Sequence, residues 1–346
     1  MPPDSNPDVP AFGSSPVLWV WISLFVIFAM LACDQAFRRY VTPRIVDIFE
    51  NVPPFNVVTA APHQHDETLL IPTADGVTLQ GSLLNGDRKD AKGLVLFLPE
   101  LRGNHWMARR YCDALIRHGY VVMAVDFRSQ GESAVMPGYS PIHWITEYEM
   151  ADVEAMLDFI ESRPELSTLP MIAYGVSRGG VAALVAACRY PRIRGVIADS
   201  AFGTMSMTKY FVDRFVHYVI PRWVYRLQPE WHVDLTLRNA MQQSENRRRC
   251  KYVHLERERE TLESELVLLI SGGRDSYVTP DIANRLQSIV GKYCQLWIAP
   301  GAKHNMSRSV CAEEYDRRVL THCDVCLGMP LDSVSIKFDP ALAKSA

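Results

Sequence analysis

The sequence predicts an α/β protein, and two observations support this class. Apolar runs of six to eight residues recur along the chain, at residues 93–98, 120–127, 170–175, 195–200, 266–271 and 295–300. They lack the alternation of polar and apolar side chains that a half-exposed strand shows, which is typical of parallel strands buried on both faces. Segments with helical periodicity lie between them, so strand and helix alternate. We therefore expect a mostly parallel sheet with helices on both faces, joined by right-handed crossovers.

Two further extended runs precede these, in the stretch LLIPTADGVTLQGSLL at residues 69–84. Asp75 and Gly76 separate them, and an Asp-Gly pair between extended runs is a hairpin signal. With these two runs the expected sheet has eight strands. The clearest helical segments follow predicted buried strands, at residues 107–119, 146–162, 179–190 and 281–291.

The composition excludes several other classes of protein. The 346 residues are 48% hydrophobic and 22% charged, with a formal net charge of −3, so the chain is globular and lacks the basic balance of a nucleic-acid-binding domain. Its eight cysteines are scattered, unlike those of a small disulfide scaffold, and we expect free thiols or one disulfide. The stretch CDVC at 323–326, with His322 and Cys311 nearby, leaves a metal or redox role as an alternative.

One segment, residues 11–33, is uncharged and predicts a membrane anchor. As a helix it would be about 35 Å long, enough to cross a hydrocarbon core of about 30 Å. Trp19 and Trp21 lie towards one end, as interfacial aromatic residues do. A cleaved signal peptide, a lipoprotein signal ending at Cys33 and a buried core helix are the alternatives.

The charges beside this segment predict its orientation. Arg38, Arg39 and Arg44 follow it, whereas neither Lys nor Arg precedes it. The positive-inside rule then places the following domain in the cytoplasm. The expected organisation is an N-terminal tail (1–10), the anchor (11–33), a juxtamembrane linker with one short amphipathic piece (34–65), the α/β domain (66–330) with an insertion (202–265), and a C-terminal tail (331–346).

A serine stands between two glycines where the fifth strand pattern gives way to a helix pattern. Gly175, Ser177 and Gly179 form a Gly-x-Ser-x-Gly motif within IAYGVSRGGVAALVAAC. On a tight strand-to-helix turn, a side chain at either glycine would collide with the neighbouring backbone, and the serine hydroxyl is lifted above the edge of the sheet. Ser177 is therefore the candidate nucleophile.

A nucleophilic serine needs a base, and the base needs an orienting acid. Asp275 follows the strand at 266–271, and His304 follows the strand at 295–300. The chain order Ser177, Asp275, His304 is that of α/β hydrolases and differs from that of chymotrypsin or subtilisin. Asp199, at the end of the sixth strand, is the best alternative acid. The other histidines considered are packing or surface residues by expectation, although His105 and His143 are candidates to line a pocket.

With these residues the chain resembles the α/β-hydrolase superfamily, over about residues 66–327. The stretches DFRSQGES (126–133), GVSRGG (175–180), GGRDSYVTP (272–280) and GAKH (301–304) carry the resemblance. It is similar to the small serine hydrolases of the Bem46-like and serine aminopeptidase-type groups. The resemblance implies Ser177 as nucleophile, His304 as general base and then acid, Asp275 as its orienting acid, and no metal or organic cofactor.

The oxyanion strand departs from this pattern. The resemblance implies two backbone N–H donors, from Arg178 and from Leu101 just after the third strand. Pro99 and Glu100 stand where His-Gly is usual. Glu100 therefore puts a carboxyl group near a developing negative charge, unless it turns away or binds a cationic group of the substrate such as an α-amine.

The insertion at 202–265 is the usual position of a lid. Its stretch KYFVDRFVHYVIPRWVYRLQPEW interleaves aromatic and basic residues. Such a segment either caps an apolar pocket, rests on a membrane interface, or packs as ordinary helices on the core. The mixed charges after it predict a solvated surface.

The sequence thus predicts a single-pass membrane protein whose serine hydrolase domain cleaves a carboxylic ester through an acyl-enzyme on Ser177. The expected partners are a small-molecule or lipid-like acyl substrate and the membrane, without nucleic acid. Two alternatives use the same fold: a serine peptidase, aminopeptidase or thioesterase on the same three residues, and a catalytically silent binding protein.

Overall fold

A computed structural model describes residues 16–51, 59–87, 89–258, 266–291 and 294–328. The expected N-terminal tail (1–10), the first five residues of the expected anchor and the expected C-terminal tail (331–346) lie outside the described residues.

Eight strands form one sheet in the described part of the chain, which confirms the predicted mostly parallel architecture. The strands are β1 (Glu67–Pro72), β2 (Thr78–Leu84), β3 (Leu94–Leu98), β4 (Val121–Val125), β5 (Met171–Val176), β6 (Ile193–Asp199), β7 (Val267–Gly272) and β8 (Gln295–Ala299). Their order is β1-β2-β4-β3-β5-β6-β7-β8. The β1–β2 and β2–β4 pairs are antiparallel, and the other pairs are parallel. The carboxyl ends of β3 and β5–β8 therefore meet at one edge.

The helices cover both faces of this sheet. They are α1 (Pro16–Glu50), α2 (Ala108–Arg117), α3 (Glu147–Glu161), α4 (Pro164–Ser167), α5 (Arg178–Arg189), α6 (Thr204–Phe215), α7 (Arg222–Arg226), α8 (Glu230–Arg248), α9 (Leu255–Glu258), α10 (Pro280–Val290), α11 (Ser307–Val310) and α12 (Ala312–Cys326), with 3-10 turns at His105–Met107 and Val216–Tyr218.

Successive side chains of each strand point to opposite faces of the sheet, so an apolar core forms on each face. Within β3, Leu94, Leu96 and Leu98 belong to the cluster that includes residues of α3, α5 and α10, whereas Val95 and Phe97 belong to the cluster that includes residues of α2 and α12. Because successive side chains of a strand point to opposite faces, a strand buried on both sides must be apolar throughout. That requirement explains why the strands read as continuous apolar runs.

The N-terminal helix is longer than the expected anchor. It continues unbroken past Cys33 to Glu50 and contains Pro43, whereas the sequence predicted a linker from residue 34. The reason is tertiary. Phe37, Val41 and Ile45 recur at helical spacing, and they pack with α6 and α8 in a third apolar cluster. Packing of one apolar face supplies most of a helix's stability, so it overrides the helix-breaking signal of Pro43.

This third cluster joins α1 to the insertion between β6 and β7. From α1 it contains Val41, Ile45 and Val46. From the insertion it contains Val212, Val216, Ile220, Leu237 and Ala240. We call the described part of the insertion, residues 202–258, the lid. The lid therefore rests on α1 as well as on the core.

Candidate active site

The turn between β5 and α5 holds Ser177 in an uncommon backbone conformation. Its φ is 51° and its ψ is −116°, a region that residues with a Cβ rarely adopt. The Ser177 N–H donates to the carbonyl oxygen of Asp199 over 2.6 Å, which ties the turn to the end of β6. The strain is thus held by the sheet, and the side chain stands at the sheet's carboxyl edge.

The two glycines around Ser177 are required by close backbone contacts. A Cβ on Gly175 would lie 2.0 Å from the carbonyl oxygen of Gly179. A Cβ on Gly179 would lie 2.1 Å from the carbonyl oxygen of Leu98, at the end of β3. Both distances are far inside van der Waals contact, so the expected collision is confirmed at both positions. The same contact brings the start of α5 against the end of β3.

Asp275 is held in the turn after β7. Its Oδ1 accepts the backbone N–H groups of Tyr277 and Val278 over 2.8 and 2.9 Å. Its side chain is fully buried. An aspartate that binds the backbone two and three residues ahead closes its own turn, which fixes the direction of the other carboxylate oxygen.

His304 joins Asp275 to Ser177. Its Nδ1 lies 2.7 Å from Asp275 Oδ2, and its Nε2 lies 3.1 Å from Ser177 Oγ. The carboxylate only accepts, so the proton of the neutral ring belongs on Nδ1, and Nε2 is the acceptor for the serine hydroxyl. The structure thus brings together the three residues that the sequence predicted from three separate strand ends.

The alternative acid has other partners. Asp199 Oδ2 accepts the Tyr315 hydroxyl over 2.8 Å, and Oδ1 accepts the Ser200 hydroxyl over 2.9 Å. Burial raises the pKa of Asp199 to about 6, although these two hydrogen bonds and the charge of His304 oppose the shift. Asp199 is therefore a neighbour of the candidate site, and its backbone carbonyl is what positions Ser177.

Two contacts in this region were not predicted from the sequence. The ring of Tyr277 meets that of His304 edge-on, with centroids 5.0 Å apart. Tyr315, on α12, reaches Asp199 across the fold. Tyr277 comes two residues after Asp275, and this short separation is the one local signal that Tyr277 lies near the candidate site. Tyr315 has no local signal, because its partner is 116 residues away.

The expected oxyanion donors lie on the two segments that Gly179 brings together. Arg178 is the first residue of α5, so its N–H is one of those without a partner inside the helix. Its side chain turns away from the edge and forms a buried ion pair with Glu149, with 2.5 Å between Nη2 and Oε1. Leu101 is buried in the turn after β3. The two backbone positions stay predictions as oxyanion donors.

Glu100 is buried beside this turn. It is 4% exposed, and its Oε2 has no hydrogen-bond partner among the described residues. Burial raises its pKa to about 7, and the nearby Asp199 adds to the shift while the charge of His304 opposes it. The carboxyl group is therefore neutral in the resting site below pH 7, which removes much of the conflict with an oxyanion.

The other histidines that the sequence raised are engaged elsewhere. His105 Nδ1 lies 2.9 Å from Asp126 Oδ2 in a buried pair. His232 Nε2 lies 2.6 Å from Asp34 Oδ1, between the lid and α1. His143 is buried between aromatic rings, and this burial lowers its pKa to about 3. The contacts of His105 and His232 are those of packing residues, whereas His143 also lines a pocket with Phe211 and Phe215 of the lid, as the sequence analysis allowed.

No disulfide bond joins the eight cysteines in the described structure. Cys326 Sγ lies 3.4 Å from His322 Nε2 on the same helix. In the part of the chain that the structure describes, no group of three or more His, Cys, Asp or Glu side chains is arranged to hold a metal ion.

Solved structures with this fold include several hydrolases. The esterase Pf2001 from Pyrococcus furiosus is 21% identical and superposes with a TM-score of 0.58, over 80% of this chain and 97% of its own. A hydrolase from Pseudomonas aeruginosa PA01 is 18% identical, with a TM-score of 0.51 over 74% and 98% of the two chains. The α/β hydrolase GrgF from Penicillium sp. sh18 is 15% identical, with a TM-score of 0.51 over 76% and 99%. At these identities the likeness shows the fold.

A family model decides the family. The model described as serine aminopeptidase, S33 (Hydrolase_4), matches residues 89–263 of this chain. The matched range contains β3 and the Ser177 turn, and it ends before Asp275 and His304. The chain therefore belongs to the serine aminopeptidase S33-type family of the α/β-hydrolase superfamily, a family of hydrolases.

Proposed function

We propose that the protein is a membrane-anchored serine hydrolase that cleaves a carboxylic ester through an acyl-enzyme on Ser177. The observation that supports this most is the hydrogen-bonded series from Asp275 Oδ2 through His304 to Ser177 Oγ. Each residue has the partner that its role requires, and all three stand at one sheet edge.

In the proposed reaction Ser177 Oγ attacks the acyl carbon and passes its proton to His304 Nε2. Asp275 stabilises the imidazolium that forms, and the backbone N–H groups of Arg178 and Leu101 hold the oxyanion. The ester C–O bond then breaks, and His304 gives its proton to the departing alkoxide. Water repeats the sequence on the acyl-enzyme, releasing the carboxylic acid and restoring Ser177.

The direct test is covalent labelling by a fluorophosphonate probe, beside hydrolysis of p-nitrophenyl esters of increasing chain length. We expect the detergent-solubilised protein to label and the Ser177→Ala variant not to label. If folded wild-type protein neither labels nor hydrolyses any ester, the proposal is wrong, and the binding-protein alternative replaces it.

The anchoring is part of the same proposal. The helix Pro16–Glu50 is the one described helix that is long and apolar enough to cross a membrane, with a mean hydropathy of 2.4 over its most apolar window. None of that window is buried against the rest of the protein, unlike a core helix. Arg38, Arg39 and Arg44 after the span support a cytoplasmic domain. Protease protection of the domain in sealed vesicles of known orientation tests the side.

Glu100 favours a second candidate, hydrolysis of an aminoacyl ester or amide. A buried carboxyl group with an unpaired oxygen gains most from a cationic partner. The α-ammonium group of an aminoacyl substrate lies close to the reacting carbonyl, and Glu100 precedes the proposed donor Leu101. Under this candidate Glu100→Gln lowers kcat/KM for aminoacyl substrates by about 10-fold or more and spares neutral esters. Equal loss on both substrate classes contradicts it.

A further inference from the structure

We propose that the lid carries a second membrane contact: a corner formed by Trp223, Leu227 and Trp231 that rests in the bilayer interface beside the anchor. This inference depends on the proposed anchoring of α1. Its partner is the lipid surface, and the argument depends on where α8 lies relative to α1.

Helices α1 and α8 lie side by side and run in the same direction. Near their first contact, His232 Nε2 lies 2.6 Å from Asp34 Oδ1. Towards their ends, the Ser244 hydroxyl donates to Glu50 Oε1 over 2.6 Å. Between these points Val41 and Ile45 of α1 share an apolar cluster with Leu237 and Ala240 of α8. These contacts fix the position, or height, of each α8 residue along the axis of α1.

That height places the start of α8 where the apolar part of α1 ends. Asp34 is the first charged residue after the uncharged segment, whose large apolar side chains are exposed from Val17 to Leu31. The segment from Pro16 to Cys33 is about 27 Å long as a helix, close to the thickness of a hydrocarbon core. Asp34 thus marks the boundary of the membrane, and His232 stands at the same level.

The corner lies beside that boundary. Trp231 is the residue before His232, and their ring centroids are 5.6 Å apart. Trp223 and Trp231 are each 67% exposed and Leu227 is 72% exposed, so the corner presents three large apolar side chains to the outside. Such side chains are costly to expose to water and ordinary at a membrane interface, where tryptophan is enriched.

The charges near the corner fit a lipid surface. Arg222 and Arg226 flank it on α7, and both are exposed. Glu230 is also exposed at this corner, with Lys209 Nζ 3.8 Å from its carboxylate. Neither guanidinium group has an ion-pair partner among the residues that the structure describes, and two such groups beside two tryptophans suit an interface that contains anionic headgroups.

A second contact fixes the orientation of the domain. At the far end of α1 the ring of Phe49 stacks on that of Trp144, with centroids 4.6 Å apart, and Trp144 Nε1 donates to the Phe49 carbonyl over 3.2 Å. The C-terminal end of α1 therefore packs against the core, and the end of its apolar segment lies at the same height as the lid corner. The lid cannot swing away from α1 without breaking the shared apolar cluster.

The test measures quenching of tryptophan fluorescence in nanodiscs that contain phosphatidylcholine brominated near the headgroup end of its acyl chains, mixed with phosphatidylglycerol. The full chain is used throughout. In the W19F/W21F variant the tryptophans of the span are gone, and the five that remain are Trp106, Trp144, Trp223, Trp231 and Trp297. Of these, Trp106, Trp144 and Trp297 are buried inside the domain.

We expect W19F/W21F to remain quenched by the brominated lipid, and the added changes W223F and W231F to reduce quenching to that in unbrominated lipid. The matched control, W19F/W21F/W297F, keeps the quenching. Fluorophosphonate labelling checks that each variant is folded. Absence of quenching in W19F/W21F, while the wild type is quenched, would contradict the membrane contact of the corner and would leave the proposed anchor intact. Absence of quenching in the wild type would contradict both the proposed anchor and the proposed membrane contact of the corner.

Discussion

The edge of the sheet that carries the candidate active site and the lid are held by different kinds of contact. At the edge, Ser177, Asp275 and His304 follow β5, β7 and β8 of one sheet. Backbone bonds fix each turn, such as the 2.6 Å contact from Ser177 N to the Asp199 carbonyl oxygen. Part of the lid packs in the main core, whereas the part that faces α1 is held by a small apolar cluster and by polar contacts such as Asp34–His232. Changes at the edge should therefore alter chemistry, whereas changes at the lid should alter local stability and access.

This difference in contacts also predicts that the sheet edge is rigid and that part of the lid opens. Strands buried on both faces have the full stability of the domain, whereas segments with few buried apolar contacts open at lower free energy. The comparison predicts that the part of the lid that faces α1 opens without loss of the geometry at the edge.

The largest expected effect is that of Ser177→Ala on ester hydrolysis. Loss of the nucleophile should reduce kcat by about 10⁴-fold or more and abolish fluorophosphonate labelling. Ser276→Ala is the matched control, because Ser276 is exposed and adjacent to Asp275. Residual turnover near the wild-type rate in Ser177→Ala would show that another residue is the nucleophile.

A smaller effect is expected from Asp275→Asn, which should reduce kcat by about 10³-fold because His304 loses the carboxylate that fixes its tautomer. Asp199→Asn should reduce kcat by about 10-fold at most, since its carboxylate binds Tyr315 and Ser200 instead of the histidine. Steady-state kinetics on a p-nitrophenyl ester compares the two. A greater loss in Asp199→Asn would reverse the assignment of the acid.

A substitution in the cluster that α1 shares with the lid should weaken the lid packing without altering the geometry of the sheet edge. Ile45 is 4% exposed within the cluster shared with the lid, so Ile45→Ala should weaken that packing by about 2–4 kcal/mol. Limited proteolysis should then cut the lid about 30-fold faster or more, while fluorophosphonate labelling persists. Tyr40→Ala is the control, because Tyr40 is 50% exposed on the same helix. Loss of labelling in Ile45→Ala would show that lid and edge are one cooperative unit.

The smallest expected effect concerns pH. The raised pKa of Glu100, about 7, means that the neutral carboxyl group stabilises the fold fully below pH 4.5 and that this contribution is lost as pH rises through 7. Ionisation of the buried group should cost up to about 3 kcal/mol. The Tm of wild-type protein in detergent should therefore fall between pH 5 and pH 8 relative to that of Glu100→Gln. Parallel Tm curves for the two proteins would contradict the buried, unpaired carboxyl group.

Local pattern alone predicted most of the fold and the candidate site. The continuous apolar runs identified the buried strands, because a strand covered on both faces has no position for a polar side chain. The motif around Ser177, with Asp275 and His304 after two later strands, identified the three residues, because parallel strands bring their carboxyl ends to one edge. These inferences require only the periods of helix and strand and the order of residues along the chain.

Other features required the tertiary structure. The helix through residues 34–50 is stabilised by contacts with α6 and α8, which are far away in sequence. Its Pro43 and the prolines that follow the helix in the sequence predicted a linker instead. The state of Glu100 depends on how completely it is buried and on the distances to Asp199 and His304. The level of Trp231 beside Asp34 depends on the packing of two helices almost 200 residues apart. Local sequence determines which element forms, whereas burial, protonation and relative height are properties of the neighbours that folding supplies.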